Sequence, residues 1–292
     1  MRQVRPKKNL GQHFLTDLAI ARRIADTVDA CADIPVLEVG PGMGVLTQFL
    51  AQKPRELAVV EIDKESVEYL KAHKPLPLTP SPKGEGEQDG GELRIIEGDF
   101  LRMDLSEVFG GRQFVLTGNY PYDISSQIFF KMLDNRELIP CCTGMIQHEV
   151  ALRMAAKPGN KQYGILSVLM QAWYDVEYLF TVEPSVFNPP PKVQSAVIRL
   201  TRNQRTDLGC DEQLFRRVVK ATFGQRRKML RVSLRQILAP PPTPPSGGRG
   251  VNTLKADFFQ QAMMTRRPEQ LSIAEFVDLT NMVAGQLRIE NG

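Results

Sequence analysis

The most informative stretch of the sequence is Val36-Leu37-Glu38-Val39-Gly40-Pro41-Gly42-Met43-Gly44-Val45-Leu46-Thr47. A short apolar run predicts a buried strand that ends at Glu38-Val39, and apolar residues at helical spacing follow from Val45. Three glycines at every second position separate the two. Because glycine has no Cβ, the chain can turn sharply there and a ligand can lie against the backbone. The stretch therefore predicts a strand, a glycine turn and a helix whose N-terminus offers free N–H groups to an anionic ligand.

The glycine spacing and a series of acidic residues narrow the class of ligand. In the dinucleotide fingerprint G-x-G-x-x-G the third glycine lies five residues after the first, whereas Gly44 lies four after Gly40. Three successive apolar runs end in acids, at Glu38, Glu61 and Asp99, and an acid after the second strand suits a ribose diol. The spacing resembles the nucleoside-binding half of S-adenosylmethionine-dependent methyltransferases. An ordinary strand-to-helix turn is the alternative for the glycines alone.

The bulk composition is that of a soluble globular protein. The chain has 292 residues, 42% of them apolar and 24% charged, which is enough for one large domain and a small one. A net charge of +4 permits nucleic-acid binding without demonstrating it. Neither a signal peptide nor a membrane span is predicted, because no apolar run is long enough. We expect a cytoplasmic protein that does not bind membranes.

The four cysteines and three histidines indicate no metal chemistry. No C-x-x-C pair occurs among the cysteines, so we expect neither a zinc site nor a disulfide framework, and a reduced cytosol fits best. His73 and His148 have no partner at ligand spacing. We therefore expect no bound metal.

Strand-like and helical segments alternate from residue 36 to about residue 150, which predicts a doubly wound parallel sheet covered by helices. Two further strand-like runs, Tyr163 to Trp173 and Tyr174 to Val182, precede a last strand near Val193 to Leu200. From Leu208 onward the pattern is helical. These patterns predict a sheet domain over residues 1–201 and a helical domain over residues 202–292. Two segments rich in proline and glycine, at residues 75–91 and 240–250, are predicted to be disordered insertions in loops.

The residues after the fourth strand of this pattern carry the candidate chemistry. They are Asn119-Tyr120-Pro121-Tyr122. The amide oxygen of Asn119 and a backbone carbonyl near Tyr120 or Pro121 could accept both N–H groups of an adenine amine, and Tyr122 could stack on the base. A sulfonium methyl donor leaves as a neutral group, so catalysis would be mostly positioning. A common β-turn is the alternative interpretation.

Six motifs in order give the chain a specific resemblance. They are Asn9-Leu10-Gly11-Gln12-His13-Phe14-Leu15, Glu38-Val39-Gly40-Pro41-Gly42, Asn119-Tyr120-Pro121-Tyr122, Gln147-His148-Glu149-Val150-Ala151, FNPPPKVQS over residues 187–195, and Arg226-Arg227-Lys228-Met229-Leu230. Together they resemble the small-subunit ribosomal RNA adenine dimethyltransferase family. The resemblance spans nearly the whole chain outside the two insertions. It implies a mostly parallel, seven-stranded class I methyltransferase sheet with a small C-terminal helical domain.

The resemblance also implies roles for individual residues. The implied S-adenosylmethionine contacts are His13, Leu15, Gly40, Glu61, Asp99 and Asn119. We expect Glu38, at the end of the strand, and Gly42, in the glycine turn, to contact the cofactor as well. Asn119, Tyr120, Pro121 and Tyr122 would hold the target adenine, with Phe187 as a second aromatic wall. His13 stands where many relatives have asparagine, and Tyr120 stands where an aliphatic residue is usual. We expect Tyr120 to act through its backbone carbonyl.

The implied substrate is two adjacent adenines of small-subunit ribosomal RNA, each dimethylated at N6, in a pre-assembled subunit. We expect a monomer whose residues Arg227, Lys228, Arg231 and Arg235 contact RNA phosphates. Helical spacing places the three arginines in one stripe with Lys228 beside it, and a solvated basic face is the alternative interpretation of that stripe. Two other functions stay open: a large-subunit adenine dimethyltransferase that confers antibiotic resistance, and an assembly factor whose binding role outweighs catalysis.

Overall fold

The computed structural model describes Lys7 and residues 12–73, 93–238 and 253–291. The chain forms two compact units, Met1–Leu152 with Tyr174–Asn203 and Arg153–Trp173 with Gln204–Gly292. The second unit thus includes residues 153–173, which the contiguous prediction of domains at 1–201 and 202–292 places in the first. The predicted disordered insertions at residues 75–91 and 240–250 lie outside the described residues.

The first unit is built on a seven-stranded sheet and a two-stranded ribbon. Its strands are β1 (Phe14–Leu15), β2 (Val36–Val39), β3 (Leu57–Glu61), β4 (Arg94–Glu97), β5 (Val115–Asn119), β6 (Cys141–Gln147), β7 (Tyr174–Val182), β8 (Phe187–Asn188) and β9 (Ser195–Arg202). The order in the large sheet is β4-β3-β2-β5-β6-β9-β7, and β1 pairs with β8. Strands β2 to β6 are parallel, and β9 runs antiparallel to both β6 and β7. The predicted doubly wound, mostly parallel sheet is confirmed.

The strand order reverses between β2 and β5, since β3 lies on one side of β2 and β5 on the other. Ligands of doubly wound sheets bind outside the carboxyl ends of the strands at such a reversal. Both β2 and β3 are buried along their whole length, as expected for central parallel strands covered on both faces. The topology therefore places the predicted acids and glycines at the ligand-binding edge.

Five α-helices accompany these strands in the described sequence before residue 156. They are α1 (Leu18–Asp26), α2 (Thr47–Leu50), α3 (Lys64–Ala72), α4 (Ser125–Asp134) and α5 (His148–Ala155). Asp17 caps the N-terminus of α1, because its Oδ1 accepts from the amides of Ala19 and Ile20 at 2.8 and 3.0 Å. Helix α2 begins only at Thr47, because residues 40–46 form the glycine turn.

The cysteine prediction is wrong in one respect. Cys31 and Cys141 form a disulfide across 110 residues, with Cα atoms 6.0 Å apart. A pairing over such a separation is set by the tertiary fold and leaves no spacing signal. Cys142 and Cys210 are free. Within the described residues no group of histidine, cysteine or acidic side chains could hold a metal ion.

The second unit is helical in its described residues. Its helices are α6 (Ile165–Gln171), α7 (Glu212–Gly224), α8 (Leu230–Ser233), α9 (Arg235–Leu238), α10 (Thr253–Gln260) and α11 (Ile273–Asn291). The strand predicted over Tyr163 to Trp173 is wrong, because this segment contains α6. Residues 167–170 are all buried, so the helix has no polar face that would give its sequence a helical period. Helix α11 begins with a capping box, since the amide of Ser272 donates to Glu275 at 2.8 Å and the amide of Glu275 to Ser272 at 3.2 Å.

No helix among the described residues is both long enough and apolar enough to cross a membrane.

Candidate active site

A pocket of about 270 Å³ lies in the first unit at the carboxyl ends of β2, β3, β4 and β5. Five short segments provide most of its wall: Gln12–Leu15, Gly40–Met43, Glu61–Ile62, Gly98–Leu101 and Asn119–Ile124. The predicted cofactor residues all line it: His13, Leu15, Glu38, Gly40, Gly42, Glu61, Asp99 and Asn119. Tyr120, Pro121 and Tyr122 line it as well. The fold thus brings segments separated by more than 100 residues to one cavity.

The glycine turn and Glu61 form one rigid corner of the pocket. Gly42 donates its amide to Glu61 Oε2 at 3.0 Å, and Asp63 donates to Oε1 at 2.9 Å. Each carboxylate oxygen can accept more than one hydrogen bond, so Glu61 keeps acceptor capacity for a ligand. Gly42 has a φ of +55°, and a Cβ there would meet the Phe14 ring at 3.0 Å. The turn therefore requires glycine, and it leaves bare backbone facing the cavity.

Glu38 is a buried carboxyl group at the floor of the same corner. Among the described residues nothing hydrogen-bonds its Oε2 atom. Burial raises the pKa of Glu38 to about 8, the Thr47 hydroxyl offsets part of this rise, and the negative charge of Glu61 adds to it. A buried carboxyl group with a free acceptor is suited to a cationic or hydroxyl group of a ligand, because unmet buried acceptors are costly.

The raised pKa of Glu38 predicts how stability depends on pH. Between about pH 4.5 and about pH 8 the native state keeps a proton that the unfolded state has released, so the free energy of unfolding should fall as pH rises through this range. Glu38→Gln removes the titration, so this fall should be smaller in the variant. Urea unfolding of both proteins without cofactor at several pH values measures it. Parallel curves for the two proteins would contradict the assignment.

Asn119, the last residue of β5, faces the N-terminal wall of the pocket. Its Nδ2 donates to the carbonyl of His13 at 3.2 Å. This bond fixes the amide plane and leaves Oδ1 as the acceptor for a donor in the cavity. Proline at residue 121 then restricts the turn that follows. The strand end and the proline together hold the amide in one orientation.

Tyr120 lies beside Asn119, but its side chain is buried below the turn. Its hydroxyl lies 3.2 Å from Cys142 Sγ, and its amide donates to Met145 O at 3.0 Å. The ring occupies space that Gly144 leaves open, because a Cβ at Gly144 would lie 2.7 Å from Tyr120 Cε2. A ligand could therefore meet the backbone of Tyr120 more readily than its ring.

Tyr122 supplies an aromatic face to the pocket. Its hydroxyl hydrogen-bonds Ser195 Oγ, which fixes the ring from its far end. The His13 ring stacks 5.6 Å away at an angle of 29°, and His13 Nδ1 donates to Pro189 O at 2.8 Å. These contacts present one face of a flat ring in a fixed orientation, as stacking on a nucleobase requires.

Phe187 does not line the pocket. Its side chain is only 4% exposed and belongs to the apolar core of the first unit, while its backbone pairs with Leu15 in the β1–β8 ribbon. The predicted second aromatic wall is not supported by this geometry. Phe187 instead holds β1, and therefore the N-terminal wall, in place.

Two residues in or near the pocket were missed by sequence reasoning. Ile62 is 53% exposed although it is apolar, and it lines the cavity directly after Glu61. Its position after an acid that ends a strand is the sequence feature that indicates a place in the pocket. Lys131 of α4 donates to the carbonyls of Leu101 and Met103 at 3.1 and 2.5 Å. It thereby fixes the loop that carries Asp99, and no sequence pattern links it to that loop.

The predicted RNA-binding side chains lie in the second unit. Arg227, Lys228, Arg231 and Arg235 are all exposed. They do not form the single helical stripe that their spacing predicts, since residues 225–229 form a turn and two short helices, α8 and α9, follow. We call the four cationic residues the basic surface. The adjacent leucines at residues 230, 234 and 238 are buried and anchor it.

Comparisons with known proteins agree with this architecture. Residues 3–244 match the model of the family described as ribosomal RNA adenine dimethylase. The chain is 59% identical over 285 residues to ribosomal RNA small subunit methyltransferase A of Phocaeicola vulgatus, covering 98% of this chain and 92% of the relative. It is 49% identical over 288 residues to the protein of the same name from Cytophaga hutchinsonii, covering 98% of this chain and 100% of the relative.

Solved structures show the same fold. A dimethyladenosine transferase from Plasmodium falciparum gives a TM-score of 0.70 at 24% identity, covering 94% of this chain and 98% of that one. The 23S rRNA methyltransferase ErmE gives 0.58 at 25% identity, covering 91% and 99%. The methyltransferase fold is thereby confirmed. The family model covers most of the chain, and the chain belongs to the ribosomal RNA adenine dimethylase family.

Proposed function

We propose that this protein transfers methyl groups from S-adenosylmethionine to N6 of two adjacent adenines in small-subunit ribosomal RNA, dimethylating each. The observation that carries the proposal is the pocket that joins the Glu61 corner to the Asn119–Tyr122 turn. One part of it has the groups that a nucleoside cofactor needs, and the other has the groups that an adenine amine needs. Methyl transfer requires both within one cavity.

The hydrogen-bond donors and acceptors in the cofactor part of the pocket match the polar groups of S-adenosylmethionine. Glu61 would accept from the ribose hydroxyls, Ile62 and Asp99 would meet the adenine, and Gly40 and Gly42 would face the cofactor with bare backbone. The free Oε2 atom of buried Glu38 would accept from the ammonium group of the methionine portion, and the positive charge of that group would favour the ionised form of the carboxyl group. His13 and Leu15 would close the cavity from the N-terminal side. The bound cofactor would supply a methyl group on a sulfonium centre.

The adenine part of the pocket would act by positioning. Asn119 Oδ1 and a backbone carbonyl of the turn would accept the two N–H bonds of the amine, which orients its lone pair for attack. Tyr122, fixed through Ser195, would hold the base by stacking. The proton would leave the nitrogen after the new N–C bond has formed, so no side chain has to remove it first. Holding reactants in a near-attack geometry supplies a large share of such a barrier.

The choice of small-subunit RNA rests on the relatives rather than on the pocket. Proteins 49–59% identical over nearly the whole chain are named ribosomal RNA small subunit methyltransferase A, whereas the 23S rRNA enzyme is 25% identical. We further propose that the protein acts as a monomer in the cytoplasm on a pre-assembled subunit. The basic surface of the second unit would contact its phosphates.

Methyl transfer to three substrates tests the proposal. Undermethylated small subunits, naked small-subunit RNA and large-subunit RNA would each be incubated with labelled S-adenosylmethionine. We expect label in the small subunit alone. Label in large-subunit RNA would favour the antibiotic-resistance type of enzyme. Tight subunit binding with no transfer to any substrate would favour an assembly factor and would contradict the proposed activity.

Replacing Arg227, Arg231 and Arg235 with glutamine should weaken subunit binding and flatten its salt dependence. The slope of log K against log salt should fall by roughly 0.7–0.9 for each phosphate that the protein no longer neutralises. Binding of the small subunit at several salt concentrations measures the slope, and S-adenosylmethionine affinity serves as the control that should not change. An unchanged slope would mean that these arginines form a solvated surface and do not contact RNA phosphates.

A further inference from the structure

The N-terminal wall of the pocket is fastened to the first unit at its C-terminal end. Here the N-terminal arm denotes Lys7 together with Gln12–Leu15. Leu15 pairs with Phe187 in the β1–β8 ribbon, and the amide of Thr16 donates to Val186 O at 2.8 Å. Gln12, His13, Phe14 and Leu15 all line the cavity. Hydrogen bonds of His13 with Asn119 and Pro189 extend this support to residue 13, so the part of the wall that still has to be held is its first residue, Gln12.

The other end is fastened by Lys7. Its Nζ lies 2.6 Å from Asp63 Oδ1 and 3.4 Å from Glu65 Oε1. Its amide donates to Gln12 Oε1 at 2.9 Å, and its carbonyl accepts from the amide of Gln12 at 3.4 Å. These two bonds join Lys7 directly to Gln12. A side-chain ion pair at Lys7 therefore acts on the residue where the pocket wall begins.

Asp63 is a well-fixed anchor for this ion pair. Its side chain is only 3% exposed, accepts from Ser66 Oγ at 3.1 Å and caps α3 through the amide of Glu65. Its own amide donates to Glu61 Oε1. Although burial opposes it, hydrogen bonds from Lys7 and Ser66 lower the pKa of Asp63, so its carboxylate stays charged at neutral pH. The ion pair thus joins the N-terminal arm to the peptide that positions Glu61.

We propose that Lys7 is a positioning residue that holds the N-terminal arm over the cofactor pocket through Asp63, and so slows the dissociation of S-adenosylmethionine and of its demethylated product. This inference rests on the proposed function. Exposed ion pairs contribute little to stability, but the Asp63 side chain of this pair is buried. The pair also orders the pocket wall before the ligand binds. Pre-ordering a binding wall strengthens affinity because binding no longer bears that entropy cost.

Three variants test the role of Lys7. Lys7→Met keeps the length and removes the charge, and Lys7→Arg keeps the charge. Lys64→Met is the matched control, because Lys64 is adjacent to Asp63 in sequence, is 82% exposed and lies 3.8 Å from Glu97. Calorimetry gives the affinities for S-adenosylmethionine and S-adenosylhomocysteine, and stopped-flow displacement gives their dissociation rates. Steady-state methyl transfer separates KM for the cofactor from kcat.

Lys7→Met should bind both ligands about tenfold more weakly, which corresponds to the removal of about one hydrogen bond to a charged group, with faster dissociation. Its KM for the cofactor should rise without a reduction of kcat. Lys7→Arg should recover most of the affinity, and Lys64→Met should match the wild type. Wild-type affinity and dissociation rate in Lys7→Met would overturn the inference, as would a loss of subunit binding with unchanged cofactor affinity. Failure of the wild-type protein to bind S-adenosylmethionine would instead contradict the proposed function.

Discussion

Asn119→Ala should reduce methyl transfer at least about 100-fold, because misplacing a reacting group by about 1 Å can cost that much in rate. The variant lacks both hydrogen-bonding groups of the amide. Without Oδ1 it has no side-chain acceptor for the adenine amine, and without Nδ2 it has no donor to His13 O, the bond that fixes the N-terminal wall. The β5 backbone and Pro121 remain, so the fold should be unchanged.

Single-turnover methyl transfer with saturating cofactor and subunit measures this reduction, and small-subunit binding should stay within a few-fold of the wild type. Asn281→Ala is a matched control, because its Nδ2 also donates to a backbone carbonyl, Gly209 O at 3.0 Å, but within the second unit. That variant should transfer methyl groups at the wild-type rate. Near-normal transfer by Asn119→Ala would show that the adenine is held by other residues.

Glu61→Ala should weaken S-adenosylmethionine binding by about 1.5–3 kcal/mol, the range for a hydrogen bond to a charged group. The substitution also removes the acceptor of the Gly42 and Asp63 amides, so part of the weakening would come from a less ordered glycine turn. The ribose contribution has to be separated from this structural one.

A thermodynamic cycle with a modified ligand makes that separation. S-Adenosylhomocysteine and its 2′-deoxy analogue would be bound to the wild type and to Glu61→Ala, with affinities from calorimetry. The missing hydroxyl should weaken binding to the wild type and have little effect on the variant. Equal weakening in both proteins would mean that Glu61 supports the turn without contacting the ribose.

The sequence is most informative where the residues that line the pocket also determine the local backbone conformation. The glycine turn needs bare backbone at Gly42, and Glu61 ends a strand whose neighbours end in acids as well, so both were visible as patterns. The Asn119–Tyr122 turn was found in the same way, because proline and asparagine mark a turn and the preceding apolar run marks a strand. Parallel strands then bring these segments to one edge of the sheet.

The sequence was silent where the fold depends on contacts between distant segments. The pairing of Lys7 with Asp63 and the disulfide of Cys31 with Cys141 have no local signature. The segment that contains helix α6 has a strand-like sequence pattern, because the helix is buried on several sides and lacks an amphipathic period. The motif around Phe187 predicts an aromatic wall of the pocket, whereas the register of β8 against β1 places this side chain in the core.

Mapping the methylated nucleotides would establish both the reaction and its substrate. Undermethylated small subunits would be incubated with the protein and S-adenosylmethionine, and the RNA would be digested and sequenced by mass spectrometry. The proposed function predicts N6,N6-dimethyladenosine at two adjacent positions of the small-subunit RNA, with far less of it in the Asn119→Ala reaction over the same time. Methyl groups on another base, at scattered adenines, or in large-subunit RNA would contradict it.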